Sequence, residues 1–394
     1  MKDISGKFTS GVRLNQADGE ALFASADLHA LGALADAAKR RRHGDCAYYI
    51  LNRHINYTNL CSLACEVCGF GKKARGEGVY EKTNEEVAAH AAAAQADGAC
   101  EVHITGALHP HWRIEHYVDM LGKVRAAAPK VHVKAFTAVE VAHFAALSGI
   151  TVEETLKRLI GAGLGSMPGG GAEIFDPAVR TRLFPDKIDA RQWLEVHRTA
   201  HRLGLRTNAT MLYGHLETPA HRVAHLLMLR ELQDQTGGFQ AFVPLSFIPQ
   251  PENRDSPHFS WTKKEDSPVE KLGVCPLENE KGQSPFFADE KRGQSLQKKG
   301  DSPCTTGLDD LKTVAVSRLV LDNFEHIKTF WIMHTLKLSQ IALHFGADDI
   351  DGTVSRYEII QGDGGGAVSA AELQRLIREG GLTPVQRDSG YRPA

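Results

Sequence analysis

The chain has 394 residues, 42% of them hydrophobic, and a formal net charge of −2, so it can bury a large core and has no overall charge that would attract nucleic acid or an anionic membrane surface. No run of roughly 18 apolar residues indicates a membrane span, and the polar N-terminus lacks the apolar stretch of a signal peptide. Three of the seven cysteines lie within eight residues, which favours metal ligands in a reducing, cytoplasmic compartment over a secreted disulfide framework.

The predicted elements begin with two helical segments within residues 17–42, the second capped by Ser25 or Asp27. From about residue 52, short apolar runs alternate with amphipathic segments. The predicted strands are 55–59, 100–105, 131–136, 164–167, 207–212, 242–245, 327–331 and 348–351. The predicted helices are 84–97, 114–127, 139–147, 152–162, 190–203, 219–235, 308–323, 333–345 and 369–379.

This alternation predicts parallel βαβ units and hence an α/β fold, a TIM-type (β/α)8 barrel over residues 52–361, with an open doubly wound sheet as the alternative. Residues 1–51 form the predicted N-terminal helical extension, and residues 362–394 a C-terminal helix and tail packed on the barrel. Residues 251–306 are rich in Pro, Ser, Lys and acidic residues, which predicts a flexible insertion whose Cys275 and Cys304 are not metal ligands.

The most specific motif is Cys61-x3-Cys65-x2-Cys68, directly after the first predicted strand. Three thiolates on one loop can hold three irons of a [4Fe–4S] cluster and leave the fourth iron open to a small molecule. Two alternatives remain open at this point. The cysteines can form a buried helical stripe, although Gly69 and Gly71 disfavour a long helix, or they can bind zinc together with a histidine.

Cys-x3-Cys-x2-Cys after a first strand resembles the radical S-adenosylmethionine (SAM) superfamily. Several segments further resemble the aminofutalosine synthase family: 52–59, 132–137, 166–175, 207–215, 230–234, 237–240 and 321–324. The chain departs from the family pattern at Val67, where an aromatic residue is usual, in the residues that follow Cys68, and in the 251–306 insertion.

The resemblance implies a transferase with a [4Fe–4S] cluster that consumes SAM as a co-substrate. Its 5′-deoxyadenosyl radical adds to 3-[(1-carboxyvinyl)oxy]benzoate and gives aminodeoxyfutalosine for menaquinone biosynthesis. Flavodoxin or ferredoxin is the implied electron donor, and Lys72, Lys73 and Arg75 are a possible docking patch for it. The alternatives are cyclic dehypoxanthinyl futalosine synthase, with more distant tyrosine-cleaving relatives, and a non-enzymatic iron–sulfur or zinc protein.

Site residues follow from the resemblance and from positions at strand ends. The predicted SAM contacts are Val67, Thr105, Gly106, Glu173, Thr210, Leu212 and Gly214. The predicted substrate contacts are Gly169, Gly170, Gly171, Asn208, His215, Lys134, Arg53 and Gln240, with His215 also catalytic. Three consecutive glycines allow close approach of backbone to a ligand, although a flexible loop is the alternative, and Glu173 can instead cap a helix near Pro177.

Overall fold

The computed structural model describes residues 2–63, 65, 68–73, 76–248, 305–353 and 368–394. The predictions for Val67, Arg75, Cys275 and Cys304, for nearly all of the 251–306 insertion and for the start of the C-terminal tail lie outside these residues. No helix in the described part is long and apolar enough to cross a membrane.

Thirteen helices and ten strands make up the described chain. The helices are α1 Lys2–Ser10, α2 Gln16–Ala24, α3 Leu28–His43, α4 Asn84–Ala96, α5 Ile114–Ala127, α6 Ala138–Ser148, α7 Val152–Ala162, α8 Pro177–Leu183, α9 Ala190–Arg202, α10 Pro219–Thr236, α11 Gly307–Val320, α12 Trp331–Ala342 and α13 Ala370–Glu379. The strands are β1 Cys46–Ile50, β2 Asn52–Asn56, β3 Glu101–Thr105, β4 His132–Ala135, β5 Ser166–Met167, β6 Arg206–Tyr213, β7 Phe239–Ser246, β8 His326–Ile327, β9 Asp349–Gly352 and β10 Thr383–Gln386.

Local chemistry fixes many of the helix starts. Thr83 before α4 and Thr137 before α6 each accept a hydrogen bond from the third helical amide, and a glutamate at that third position bonds back to the cap. Such capping boxes satisfy amides that have no partner inside the helix. The predicted cap of α3 is confirmed at Asp27, which accepts from the amide of Ala30.

The main sheet has seven parallel strands in the order β2-β3-β4-β5-β6-β7-β8. A second parallel sheet has the order β10-β1-β9. β9 connects the two sheets, because Asp349 pairs with Lys328 just after β8 while β9 also pairs with β1. Strand β1 runs into β2 with only Leu51 between them, so the two strands form one continuous edge. Strand β9 pairs with β1 on one side and with Lys328 after β8 on the other, so it takes the eighth place and closes the barrel.

Four element predictions differ from the structure. The first barrel strand lies at Asn52–Asn56 instead of 55–59, and the strand predicted at 327–331 ends at Ile327 because Trp331 begins a helix. Helix α1 was not predicted, since its sequence is short and mostly polar and only Ile4 and Phe8 form its apolar face. Strand β1 lies within the segment predicted to be purely helical, because its short run Cys46–Ile50 continues almost directly into β2.

The C-terminal tail packs on the barrel, as predicted. Thr383 to Gln386 pair in parallel with Cys46 to Tyr49, and the Gln240 side chain donates to the carbonyl of Ser389 at 3.0 Å. The apolar core lies between the strands and the surrounding helices, with fully buried residues such as Trp193, Leu226 and Val316. The interior of the barrel is polar, which distinguishes it from the layers of branched apolar residues that fill most barrels of this kind.

Candidate active site

Two adjoining cavities lie at the carboxyl ends of the strands. The cluster cavity is lined by the three motif cysteines together with Leu63, Phe70, Gly71, Thr105, Gly106, Ala107, Leu108, Thr137, Val139, Glu140, Gly171 and Lys187. The barrel cavity extends into the barrel and is also lined by Thr105 and Thr137. Because the cavities share these two lining residues, they adjoin at the carboxyl ends of β3 and β4.

Backbone hydrogen bonds hold the cysteine loop on both sides. The amide of Cys61 donates to the carbonyl of Lys72 at 2.8 Å, and the amide of Ser62 donates to the carbonyl of Leu108 at 2.8 Å. Two further amides point at sulfur: Leu63 N–H donates to Sγ of Cys61 at 3.4 Å, and Gly71 N–H donates to Sγ of Cys68 at 3.3 Å. Amide donors of this kind stabilise negative charge on sulfur ligands.

The residues present fit an iron–sulfur cluster. A Cβ at Gly71 would lie 3.1 Å from Cβ of Cys61 and 3.6 and 3.7 Å from Sγ of Cys61 and Cys68, so a side chain there would crowd the cysteines. Burial raises the pKa of the Cys65 thiol to about 11, although Lys187 acts in the opposite direction. A thiol of this kind becomes a thiolate when a metal replaces its proton.

A single zinc ion suits these thiols less well. In the described part of the chain, the only three His, Cys, Asp or Glu residues whose ligand atoms lie within 4.8 Å of one another are His43, His326 and Asp348. The three motif sulfurs are therefore spread more widely, whereas thiolates around one zinc ion lie roughly 4 Å apart. In the group formed by His43, His326 and Asp348, the Asp348 carboxylate is already paired with the Arg318 guanidinium, which disfavours a cation there.

Glu140 organises the turn that the sequence predicts as a SAM contact. It is buried, and its carboxylate accepts from the Tyr57 hydroxyl at 2.7 Å, the Gly106 amide at 3.0 Å and the Thr137 amide at 2.7 Å. Burial raises the pKa of the Glu140 carboxyl despite these bonds. A Cβ at Gly106 would lie 2.5 Å from the Tyr57 ring, so glycine is required where this turn faces the cluster cavity.

The three consecutive glycines are tightly packed. A Cβ on Gly169 would lie 2.6 Å from the backbone carbon of Ala209, and a Cβ on Gly171 would lie 2.2 Å from a methyl group of Val139. The carbonyl of Gly169 accepts from the Thr210 hydroxyl at 2.6 Å. The alternative of a loosely held loop is therefore wrong, and the glycines allow the loop to approach strand β6 closely along the cavity wall.

Glu173 pairs with a lysine that the sequence reasoning missed. Lys187 Nζ lies 2.5 Å from the Glu173 carboxylate and lines the cluster cavity. Burial lowers the pKa of Lys187, but the nearby Glu173 and cysteine charges outweigh it and raise the pKa overall. Asp176, and not Glu173, caps helix α8. Lys187 lies in an irregular segment with no motif around it, so the sequence offered no signal for it.

His215 belongs to the turn after β6 and lines neither cavity. Its side chain is 0% exposed; Nε2 lies 3.0 Å from the carbonyl of Leu212, and Nδ1 accepts from the amide of Leu216 at 2.7 Å. Glu217 accepts from the amides of Gly214 and His215 and pairs with Arg222. This placement gives the predicted catalytic and substrate-binding roles of His215 no support, because both ring nitrogens are already engaged.

The other predicted substrate residues divide into two groups. Lys134, Asn208, Gly169 and Gly170 line the barrel cavity, as does the predicted SAM contact Thr210. Arg53 instead pairs with Asp97 at 2.6 Å, and the Gln240 amide is bound to the tail. The Arg53 side chain points away from the cavity because its strand neighbours Asn52 and His54 line it, and successive residues of a strand point to opposite sides.

The barrel cavity contains a charged cluster that was largely missed. Lys134 pairs with Glu101 at 2.8 Å, and Lys328 pairs with Asp351 at 2.7 Å, all four being buried. Burial opposes charge on Glu101, but Lys134 outweighs it and lowers the pKa of that carboxyl below its usual range.

Two histidine rings, His54 and His103, lie against each other in the same cavity with centroids 4.4 Å apart. A signal for them was present in the sequence. Polar residues alternate at 52, 54 and 56 and at 101, 103 and 105, which places them on one face of each strand.

Comparison with family models and solved structures supports the class of enzyme that the cysteine motif predicts. Residues 55–229 match the family model described as Radical SAM superfamily, and residues 285–394 match the CofH/MqnC C-terminal region, which begins inside the predicted insertion. Among solved structures, methylornithine synthase superposes with a TM-score of 0.67 at 15% identity, covering 97% of each chain. The hydrogenase maturase HydG gives 0.69 at 16% identity, covering 97% of this chain and 75% of that one. These two superpositions support the fold.

Curated relatives narrow the family. The chain is 39% identical to aminodeoxyfutalosine synthase of Streptomyces coelicolor and 38% identical to that of Thermus thermophilus, over 99% of this chain and 93% and 94% of theirs. It is also 35% identical to 5-amino-6-(D-ribitylamino)uracil–L-tyrosine 4-hydroxyphenyl transferase of Methanopyrus kandleri, over 99% of this chain and 94% of that protein. This last group is therefore somewhat less similar than the first, as the sequence predicted, but by only a few per cent identity.

A parallel barrel with three cysteines at its carboxyl mouth is the framework of a radical SAM enzyme, which uses a [4Fe–4S] cluster and SAM. The chain belongs to the radical SAM family that includes the aminodeoxyfutalosine synthases and the 4-hydroxyphenyl transferases.

Proposed function

We propose that this protein is an aminodeoxyfutalosine synthase, which joins the 5′-deoxyadenosyl group of SAM to 3-[(1-carboxyvinyl)oxy]benzoate. The observation that carries the proposal is the pair of adjoining cavities in a chain 38–39% identical to such synthases. The barrel cavity holds two buried lysines, Lys134 and Lys328. A dicarboxylate substrate requires cations of this kind, since carboxylates form their strongest hydrogen bonds with charged donors.

In this proposal, Cys61, Cys65 and Cys68 hold the cluster, which supplies one electron to SAM when bound. The Thr105-Gly106 turn, held by Glu140, binds SAM from one side, and the Glu173–Lys187 pair closes the other side of the cavity. Thr210 and Leu212 lie near the carboxyl end of β6, and Gly214 begins the turn that follows it. Leu212 contributes through its backbone, because its amide donates to the carbonyl of Glu173 at 2.8 Å. Val67 lies outside the described residues and stays a predicted contact of SAM.

The substrate lies in the barrel cavity between the glycine segment and the polar strand faces. Gly169 and Gly170 form one wall, Asn208 presents a buried amide oxygen that has no partner among the described residues, and Lys134 supplies positive charge. Gly171 lines the cluster cavity instead. Burial of the substrate excludes water from the radical, which is the fold's main contribution in chemistry of this type.

Electron delivery requires a low-potential protein such as flavodoxin or ferredoxin. Lys72 and Lys73 follow the cysteine loop directly, and the carbonyl of Lys72 accepts from the amide of Cys61. A basic turn bonded to the cluster loop is a suitable contact for an acidic donor.

Product analysis tests the proposal. The anaerobically reconstituted protein is incubated with dithionite, SAM and 3-[(1-carboxyvinyl)oxy]benzoate, and the products are identified by mass spectrometry. We expect a product that contains both the adenosine moiety and the benzoate. Free 5′-deoxyadenosine as the main product would instead indicate a hydrogen-abstracting enzyme such as cyclic dehypoxanthinyl futalosine synthase.

The archaeal relatives favour a second candidate, a 4-hydroxyphenyl transferase acting on tyrosine and 5-amino-6-(D-ribitylamino)uracil. The same incubation is therefore repeated with these two compounds. A 4-hydroxyphenyl adduct of the uracil, without any adenosylated benzoate in the first incubation, would replace the proposed function with this one.

A further inference from the structure

A continuous set of contacts connects the C-terminal tail to the barrel cavity. Arg387, the residue after β10, is fully buried, and its Nε donates to one carboxylate oxygen of Asp349 at 2.5 Å. The other oxygen of Asp349 accepts from the amide of Asp351 at 2.6 Å. The Asp351 carboxylate in turn accepts from Nζ of Lys328 at 2.7 Å, inside the cavity. The tail thus determines the position of a cavity lysine.

The backbone at Asp351 shows that this position depends on its neighbours. Asp351 has a φ of 67°, which side-chain-bearing residues rarely adopt and which persists only where the surrounding structure holds it. The bond from its amide to Asp349 provides that hold, and Arg387 keeps the Asp349 carboxylate in place. Without Arg387, the Asp349 carboxylate would be buried with its charge uncompensated, so the turn and Lys328 would both be expected to move.

Lys328 has donors available for a ligand. An ammonium group has three N–H donors, and in the part of the chain that the structure describes Asp351 is the only hydrogen-bond partner of Nζ. Lys328 follows β8, across the ring from β3 and β4, whose ends carry Thr105 and Thr137 next to the cluster cavity. A ligand whose reactive end faces the cluster cavity therefore directs its far end toward Lys328.

We propose that Lys328 binds the ring carboxylate of the aryl ether substrate, and that Arg387 is the positioning residue that fixes Lys328 through Asp349 and Asp351. This inference rests on the proposed function. The vinyl carbon of the substrate has to face the radical source, and the ring carboxylate lies at the opposite end of the molecule. Lys134, which pairs with Glu101 on β3 beside it, is then left for the carboxylate on the vinyl group.

The test compares two substrates and several variants by kcat/KM for adenosylated product. One substrate is 3-[(1-carboxyvinyl)oxy]benzoate and the other is 2-phenoxyacrylate, which lacks only the ring carboxylate. For Lys328→Met we expect a loss of roughly 10- to 100-fold with the first substrate, since a hydrogen bond to a charged group is removed, and about 3-fold or less with the second. Lys328→Gln, which keeps a donor without the charge, is measured beside it. Lys157→Met, on an exposed pair of helix α7, is the matched control and should leave both values unchanged.

Arg387→Lys keeps the charge but loses the planar fork that holds Asp349. We expect its KM for the dicarboxylate to rise several-fold with little change in kcat, and its values with 2-phenoxyacrylate to stay close to those of the wild type. Iron content and circular dichroism of every variant show that the fold is intact.

The assignment would be overturned if Lys328→Met and Lys328→Gln lowered kcat/KM equally with both substrates. It would also be overturned if Lys134→Met alone lowered kcat/KM selectively for 3-[(1-carboxyvinyl)oxy]benzoate. If the wild-type protein forms no adenosylated product with either substrate, the proposed function itself has failed. If it forms the product but Lys328 variants show no selective loss, only the present inference has failed.

Discussion

Gly169→Ala tests whether close packing of the glycine segment builds the cavity wall. The added methyl group would lie 2.6 Å from the Ala209 carbonyl carbon and 2.7 Å from the Thr210 nitrogen, and both of these are backbone atoms of a central strand. Ordinary contacts to a methyl group begin at about 3.4 Å, so the loop or the strand has to move by close to 1 Å. Overpacking of this kind costs about 1–3 kcal/mol.

A second contribution comes from the hydrogen bond between the Thr210 hydroxyl and the Gly169 carbonyl, at 2.6 Å. Its loss would cost about 0.5–1.5 kcal/mol. Replacing glycine also restricts the unfolded chain, which restores about 0.4–1 kcal/mol. The expected net loss in the free energy of unfolding is therefore about 1–4 kcal/mol.

Urea unfolding followed by circular dichroism measures this loss, with Gly161→Ala as the matched control. Gly161 lies in helix α7 with nothing within 4 Å of an added Cβ, so alanine there should stabilise the protein by about 0.5–1 kcal/mol. The two substitutions are chemically identical and should change stability in opposite directions. A Gly169→Ala protein as stable as the wild type would refute the packing argument.

Three further predictions concern the cluster cavity and its surroundings. Cys65→Ala should abolish the cluster absorbance and SAM cleavage, whereas Cys100→Ala, a cysteine outside the motif, should retain iron in a colorimetric assay. Lys187→Met should lower the free energy of unfolding by about 1–3 kcal/mol, because it leaves the half-buried Glu173 carboxylate without its lysine partner, and Glu173→Gln in the same background should recover most of that loss in urea unfolding.

Burial opposes charge on Glu217, but its bonds to His215 and Arg222 outweigh it and lower its pKa to about 2. Its contribution to stability should therefore be present above its ordinary pKa of 4.5 and disappear as the pH falls toward 2. In urea titrations across this range, the difference in the free energy of unfolding between wild type and Glu217→Gln should shrink as the pH falls. A difference that stays constant would contradict the lowered pKa of Glu217.

Much of the fold was predictable because its signals are local. Alternating apolar runs and amphipathic helices placed six of the eight barrel strands near their observed positions and the first and seventh a few residues away, and Asp27 was among the caps proposed for α3. The participation of β1 and β10 was not predictable in this way, since a parallel pairing between residues 46 and 383 depends on contacts distant in sequence.

The site was predicted unevenly for similar physical reasons. The cysteines share one short loop, so their spacing alone identified them. Lys187 and Lys328 come from distant segments and reach the cavities only through tertiary structure. His215 was predicted to be catalytic because it follows a glycine at the end of a strand, a position found in ligand-binding turns and in purely structural ones. Only the hydrogen bonds of its ring nitrogens to the turn itself show that this turn is structural.

The most direct test of the account is electron paramagnetic resonance of the reduced, reconstituted protein with and without SAM. Three cysteine ligands leave one iron of the cluster open, so SAM should bind that iron and change the shape and g-values of the spectrum. A spectrum that SAM leaves unchanged would show a saturated cluster and contradict the assignment of this cavity as a radical SAM site.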